Sequence, residues 1–178
     1  MMLRRNGLLA AVAVLVLISS GTASGLPSEP GGDAARQAFE QIKALAGKWQ
    51  AESTAGWAEP VTFEVLARGS AVMSRTSFKD APDRTMVTVF SLDEDRLVLT
   101  HYCESRTQPH LAATEISADA GTVRFEFVSG GNMASRDHGH MDQAVYEFAD
   151  ADTFSSRWTW YQDGEETWGE EINYRRIH

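Results

Sequence analysis

A chain of 178 residues with 43% hydrophobic content is sized for one domain with a real core. Its formal charge of −9 is spread along the chain with no basic stripe, which excludes nucleic acid and anionic lipid surfaces as partners. A single cysteine excludes an internal disulfide.

The first segment is expected to be removed. Arg4 and Arg5 precede an uncharged apolar run at 8–18, and small residues fill 19–25. That is the layout of a secretory signal peptide, and the run is too short to span a bilayer. An uncleaved anchor is the competing reading. Cleavage after Ala23 leaves 155 residues, with 14 basic against 25 acidic side chains and a net charge of −11. A second candidate cut follows Gly25. The expectation is an exported protein, periplasmic or secreted, with no stable membrane insertion after cleavage. Its one cysteine, Cys103, is then buried, paired with another molecule, or kept as a thiol. The chain divides into a signal peptide at 1–23, a flexible Pro/Gly linker at 24–33 and a folded domain at 34–178.

The folded domain opens on a helix. Phe39, Ile42, Leu45 and Ala46 fall at helical spacing, Asp33 or a neighbour serves as cap, and Gly47 ends the element. Everything after Gly47 reads as strands broken by turns. The predicted strands are 48–54, 61–66, 71–78, 85–92, 96–103, 110–116, 122–128, 141–148, 153–161 and 166–176. Turn signals separate them, among them Asp80-Ala81-Pro82-Asp83, Asp93-Glu94-Asp95, Asp119-Ala120-Gly121 and Asp163-Gly164. Ten strands joined by short connections favour an all-β, antiparallel, up-and-down barrel, which removes sheet edges by closing. A two-sheet sandwich is the competing architecture.

Within the strand at 96–103, alternation puts Leu97, Leu99, His101 and Cys103 on one face. A strand that replaces core leucines with His and Cys furnishes a polar interior. Alternation back from Phe148, Tyr146 and Ala144 puts His140 on the inward face of its own strand. His101, Cys103 and His140 are therefore candidate ligands for a metal, as a tetrahedral set with an open position. A thiolate on Cys103 activated by a histidine is the enzyme alternative. The plainer reading is three interior polar groups that satisfy one another. Gln108, His110 and Asn132 flank these strands and could orient a ligand, or simply form turns. Trp158 and Trp160 share a face, as core or as pocket wall. The candidate ligand-binding set is His101, Cys103, Gln108, Asn132, His140 and Trp158. No phosphate-cradling loop, dinucleotide fingerprint or local serine-hydrolase signature is present, and the residues name no cofactor.

Leu45-Ala46-Gly47-Lys48-Trp49 places Gly-x-Trp at the start of the first strand after a short helix. This resembles the opening of calycin barrels: lipocalins, fatty-acid-binding proteins and nitrobindin-like proteins. From about Phe39 onward the chain resembles the exported, DUF1579-like, lipocalin-like bacterial proteins. The shared features are Leu99-Thr100-His101-Tyr102-Cys103, Gln108-Pro109, Phe125-Glu126-Phe127, Gly139-His140-Met141 and Trp158-Thr159 ahead of Asp163-Gly164. The resemblance implies a helix plugging one barrel end, the Trp beneath it, and Arg175 or Arg176 over the indole as a cation–π partner. It implies no settled activity, and the axial histidine of the haem-binding members has no match here. The function expected is small-molecule binding in a polar internal pocket. The rivals are an enzyme using the same cluster and a structural or interaction barrel without ligand.

Overall fold

A computed structural model describes residues 31–178. The expected signal peptide and most of the linker lie outside the described residues. One helix, α1 (Gly32–Ala44), precedes ten strands: β1 (Gly47–Ser53), β2 (Ala58–Leu66), β3 (Ala71–Phe78), β4 (Ala81–Asp93), β5 (Arg96–Tyr102), β6 (Gln108–Ser117), β7 (Thr122–Gly131), β8 (His140–Phe148), β9 (Thr153–Gln162) and β10 (Glu165–Ile177). Each strand pairs antiparallel with its chain neighbours, and β1 closes on β10 to complete a barrel. The ten-stranded barrel expected from the alternation is thus the observed fold, and the sandwich is excluded.

Local chemistry adjusts several boundaries. Gly31, not Asp33, caps α1, in an extended conformation and without a side-chain hydrogen bond. Asp33 sits in the first turn, where its charge complements the helix dipole. Gly47 opens β1 at a φ of +133°, a conformation that suits glycine. The turn after β3 is tighter than the Asp80–Asp83 cluster suggests, because β4 already starts at Ala81 and a register shift at Ser77/Phe78 absorbs the difference.

Inward positions alternate along the strands and fill the barrel with Val61, Val72, Phe90, Leu97, Leu99 and Phe125, all buried. The ends differ. The turn at 94–95 and the C-terminus of β10 lie at one end, which α1 closes with its buried face of Ala35, Ala38, Phe39 and Ile42. Beneath the helix, Trp49 is fully buried and its Nε1 donates to the Leu45 carbonyl at 2.8 Å. Phe154 meets the indole edge-on at 4.8 Å and stacks on Tyr174 at 4.1 Å. Arg176 lies over the indole at 4.2 Å and donates to the carbonyls of Ala44, Ala46 and Ala151. Of the two arginines expected there, Arg176 makes the contact.

Candidate functional site

The other end is built by the turns after β1, β3, β5, β7 and β9, and no helix among the described residues covers it. Their side chains enclose a cavity of about 390 Å³. Trp57, Phe78, Trp160 and Trp168 wall this mouth, with Cys103 and Glu170 among the polar lining groups. Deeper in the barrel lies a chamber with room for about 30 Å³, bordered by Thr88, His101, Tyr146 and Trp158. Both spaces are lined by Trp57, Met86, Met141 and Glu170, so the mouth and the chamber adjoin. A chamber of that size takes one or two waters, or one small polar group.

His101 stands at the inner end. Thr88 is its register partner across the β4–β5 hairpin, and the Thr88 hydroxyl bonds to His101 Nδ1 at 2.9 Å. With Thr88 donating, the ring proton sits on Nε2. That Nε2 is buried and has no partner among the described residues. The ring packs against Trp158 at 4.9 Å. Burial holds its pKa down, from 6.5 to about 4, so the imidazole is neutral at ordinary pH. The result is a neutral imidazole that turns an unpartnered Nε2 toward the chamber, a group that is costly to leave unmatched.

Cys103 lies just beyond β5, in a turn closed by its own N–H to Thr107 and by Arg106 N–H to its carbonyl. It is a free, half-buried thiol on the mouth wall. Gln108 and Asn132 converge on one acceptor, the Arg106 carbonyl, at 2.9 and 2.6 Å. They brace that turn against the end of β7 and do not line either cavity. His110 bonds Thr100 on the outer surface. Trp158 is buried beside His101, and Trp160 lines the mouth.

His140 is where the sequence reading departs from the structure. A register shift between Met141 and Gln143 leaves Asp142 as an extra residue in β8. Alternation therefore reverses, and Met141, paired with Trp160, faces the mouth in place of His140. His140 is fully buried under the 132–139 segment instead. Its Nδ1 donates to the His138 carbonyl at 2.5 Å, and its Nε2 accepts from Arg136 at 2.7 Å. The same guanidinium donates to Asp142 at 2.6 Å and lies 3.7 Å from the Tyr161 ring and 4.5 Å from that of Phe127. His101, Cys103 and His140 thus do not meet. Among the described residues, no three His, Cys, Asp or Glu side chains converge as a metal-binding set.

Two site residues escape a first reading of the sequence. Glu170 is only 7% exposed. Alternation back from Tyr174 and Ile172 would have found it. Thr88 follows from folding the hairpin about Glu94-Asp95, which sets Asp93 against Arg96 and hence Thr88 against His101. A larger cleft of about 630 Å³ lies elsewhere, lined by Gln50, Glu52, Glu147, Asn173 and Arg175, and reaches neither His101 nor Cys103. Its lining includes exposed strand residues of the kind that any solvated barrel wall carries.

Comparison with known proteins adds little beyond the fold. No family model matches the chain, and no curated protein does. Among solved structures, the chain is similar to the crystal structure of a protein of unknown function from the DUF3598 family of Nostoc punctiforme, at 13% identity and a TM-score of 0.41. The match covers 77% of this chain and 49% of that one, so the chain spans about half the length of this neighbour.

Proposed function

We propose that this protein is an exported, calycin-like barrel that binds a small molecule through its open end. The observation that carries the reading is His101 Nε2, buried without a partner among the described residues beside a cavity that opens through aromatic walls. Small-molecule sites combine mostly apolar walls with a few placed polar groups, in volumes of roughly 300–1,000 Å³. The mouth fits that description at about 390 Å³. The body of the ligand occupies the mouth, and one polar atom reaches into the chamber to accept from His101. The helix plug and the Arg176–Trp49 contact support the calycin-like reading.

A fragment screen followed by backbone NMR shifts tests the site. Saturable shifts clustered on Trp57, Met86, His101, Cys103 and Glu170 are expected. Shifts confined to the larger cleft, or none from several hundred fragments, refute the reading. Export is tested separately by sequencing the N-terminus of the protein recovered outside the cytoplasm. A start at Ser24 or Leu26 is expected, and a start at Met1 counts against export.

A further inference from the structure

We propose that the mouth selects organic cations, a quaternary or protonated amine whose charge lies among Trp57, Trp160 and Trp168 and against the Glu170 carboxylate. This rests on the mouth being a binding site and specifies what it takes.

The first support is Glu170 itself. Its Oε2 accepts from the Ser53 hydroxyl and from Trp57 Nε1, the latter at 3.1 Å. Its Oε1 accepts no hydrogen bond, and no Lys, Arg or His pairs with it, among the described residues. A buried carboxylate without a cation is costly, and an incoming cation relieves that cost. The second support is the wall. Trp160 and Trp168 stack at 5.7 Å, and Trp57 meets Phe78 edge-on at 5.8 Å. Aromatic faces attract alkylammonium groups through their quadrupoles.

The third support is what the lining lacks. The mouth holds one guanidinium, Arg84, and it is gripped by both Glu104 oxygens at 2.7 and 2.6 Å while lying over Phe78 at 5.2 Å. An anionic ligand therefore meets no free cation among the described residues of the mouth or the chamber, and it approaches a chain of charge −9. The same field draws cations toward the opening. Beyond the cation, the His101 N–H calls for an acceptor in the ligand tail, a carbonyl, ester or hydroxyl oxygen.

The test compares probes that differ mainly in charge, by tryptophan fluorescence titration of the exported protein. The probes are benzyltrimethylammonium, its uncharged carbon isostere neopentylbenzene, and the anion 3-phenylpropionate. The cation is expected to bind at least about tenfold more tightly than the isostere, and the anion not to saturate. Added salt should weaken the cation alone. Glu170→Gln keeps an acceptor for Ser53 and Trp57 and should remove the preference for the cation. Trp168→Leu alters a half-exposed ring and should weaken the cation without unfolding the barrel. Equal or tighter binding of the isostere, or a preference unchanged in Glu170→Gln, overturns cation selection while leaving the mouth as a site. Failure of all three probes overturns it as well, and the fragment shifts then judge the mouth independently.

Discussion

At the helix end of the barrel the polar groups of Trp49 and Arg176 are matched. The Trp49 indole donates to Leu45, and Arg176 spends its N–H groups on three carbonyls while covering the ring. At the mouth the same kinds of group are left with capacity among the described residues: a His101 Nε2 without a partner, and a Glu170 carboxylate bonded only through Oε2. Both ends are rich in aromatic rings, so composition does not distinguish them. What distinguishes them is a lid. The thirteen residues of α1 cover one end, with the carbonyls of Ala44, Leu45 and Ala46 as acceptors at its C-terminus, whereas the mouth has only turns among the described residues. One end is therefore built for stability, and the other leaves hydrogen-bonding capacity unused among the described residues.

The sharpest way to break this contrast is Trp49→Ala. Emptying the space under the helix should cost roughly 3–5 kcal/mol by chemical denaturation, as large-to-small core changes do. A loss below about 1 kcal/mol would mean that the helix end is not the stabilising one.

Next in size is a pH effect at the mouth end. His101 titrates at about 4 when folded, against 6.5 unfolded, so the unfolded chain binds the proton more readily between those values. The stability that depends on a neutral His101 is present above pH 6.5 and drains as pH falls toward 4, by up to about 3 kcal/mol. Denaturation of wild type and His101→Gln across that range should show the gap between them changing in favour of the variant on acidification. A gap constant with pH would place His101 in water. Arg176→Met follows, at roughly 1–2 kcal/mol for a lost cation–π contact and lost carbonyl bonds. The smallest effect belongs to Trp168→Leu, 46% exposed in the wild type, at about 0.5 kcal/mol or less. A penalty there as large as that for Arg176 would show the rim to be structural.

The thiol offers a readout of the mouth without a stability measurement. Cys103 is half-buried on its wall, so alkylation should run slower than in unfolded chain. Benzyltrimethylammonium should slow it further, because a probe seated in the mouth covers the wall that carries the thiol. Alkylation at the unfolded rate would place Cys103 outside the cavity.

Period-two alternation made most of this architecture readable. It was correct wherever a strand keeps its phase: Leu97, Leu99 and His101 in β5, and Trp158 and Trp160 in β9, point where the count places them. Turn chemistry located the hairpins, and the Gly-x-Trp start located the plugged end. The reading failed at β8 because a bulge leaves no side-chain mark of its own. Nothing in His140-Met141-Asp142-Gln143 announces that one residue is extra. Arg136 was invisible for a related reason. Its place between Phe127 and Tyr161 depends on how an irregular segment returns to the sheet, and that return is not set by any local pattern. Gln108 and Asn132 were found as polar loop residues, but their shared acceptor on Arg106 makes them braces of the mouth rather than part of its lining.

The extra residue in β8 makes strand length a variable of pocket chemistry in its own right. Met141 presents a soft thioether to the mouth while an imidazole one position earlier is spent holding a loop. A deletion at Asp142 is expected to close the bulge and keep both faces, because Gln143 against Thr159 then runs directly into Met141 against Trp160 and His140 against Tyr161. The imidazole turns inside only where Asp142 is taken into the ladder, with no side chain replaced. Two chains that align residue for residue therefore need not share an interior when only one of them carries the bulge. Contacts of Met141 with Trp160 retained in the shortened chain, read from NOEs, would show that the faces are kept.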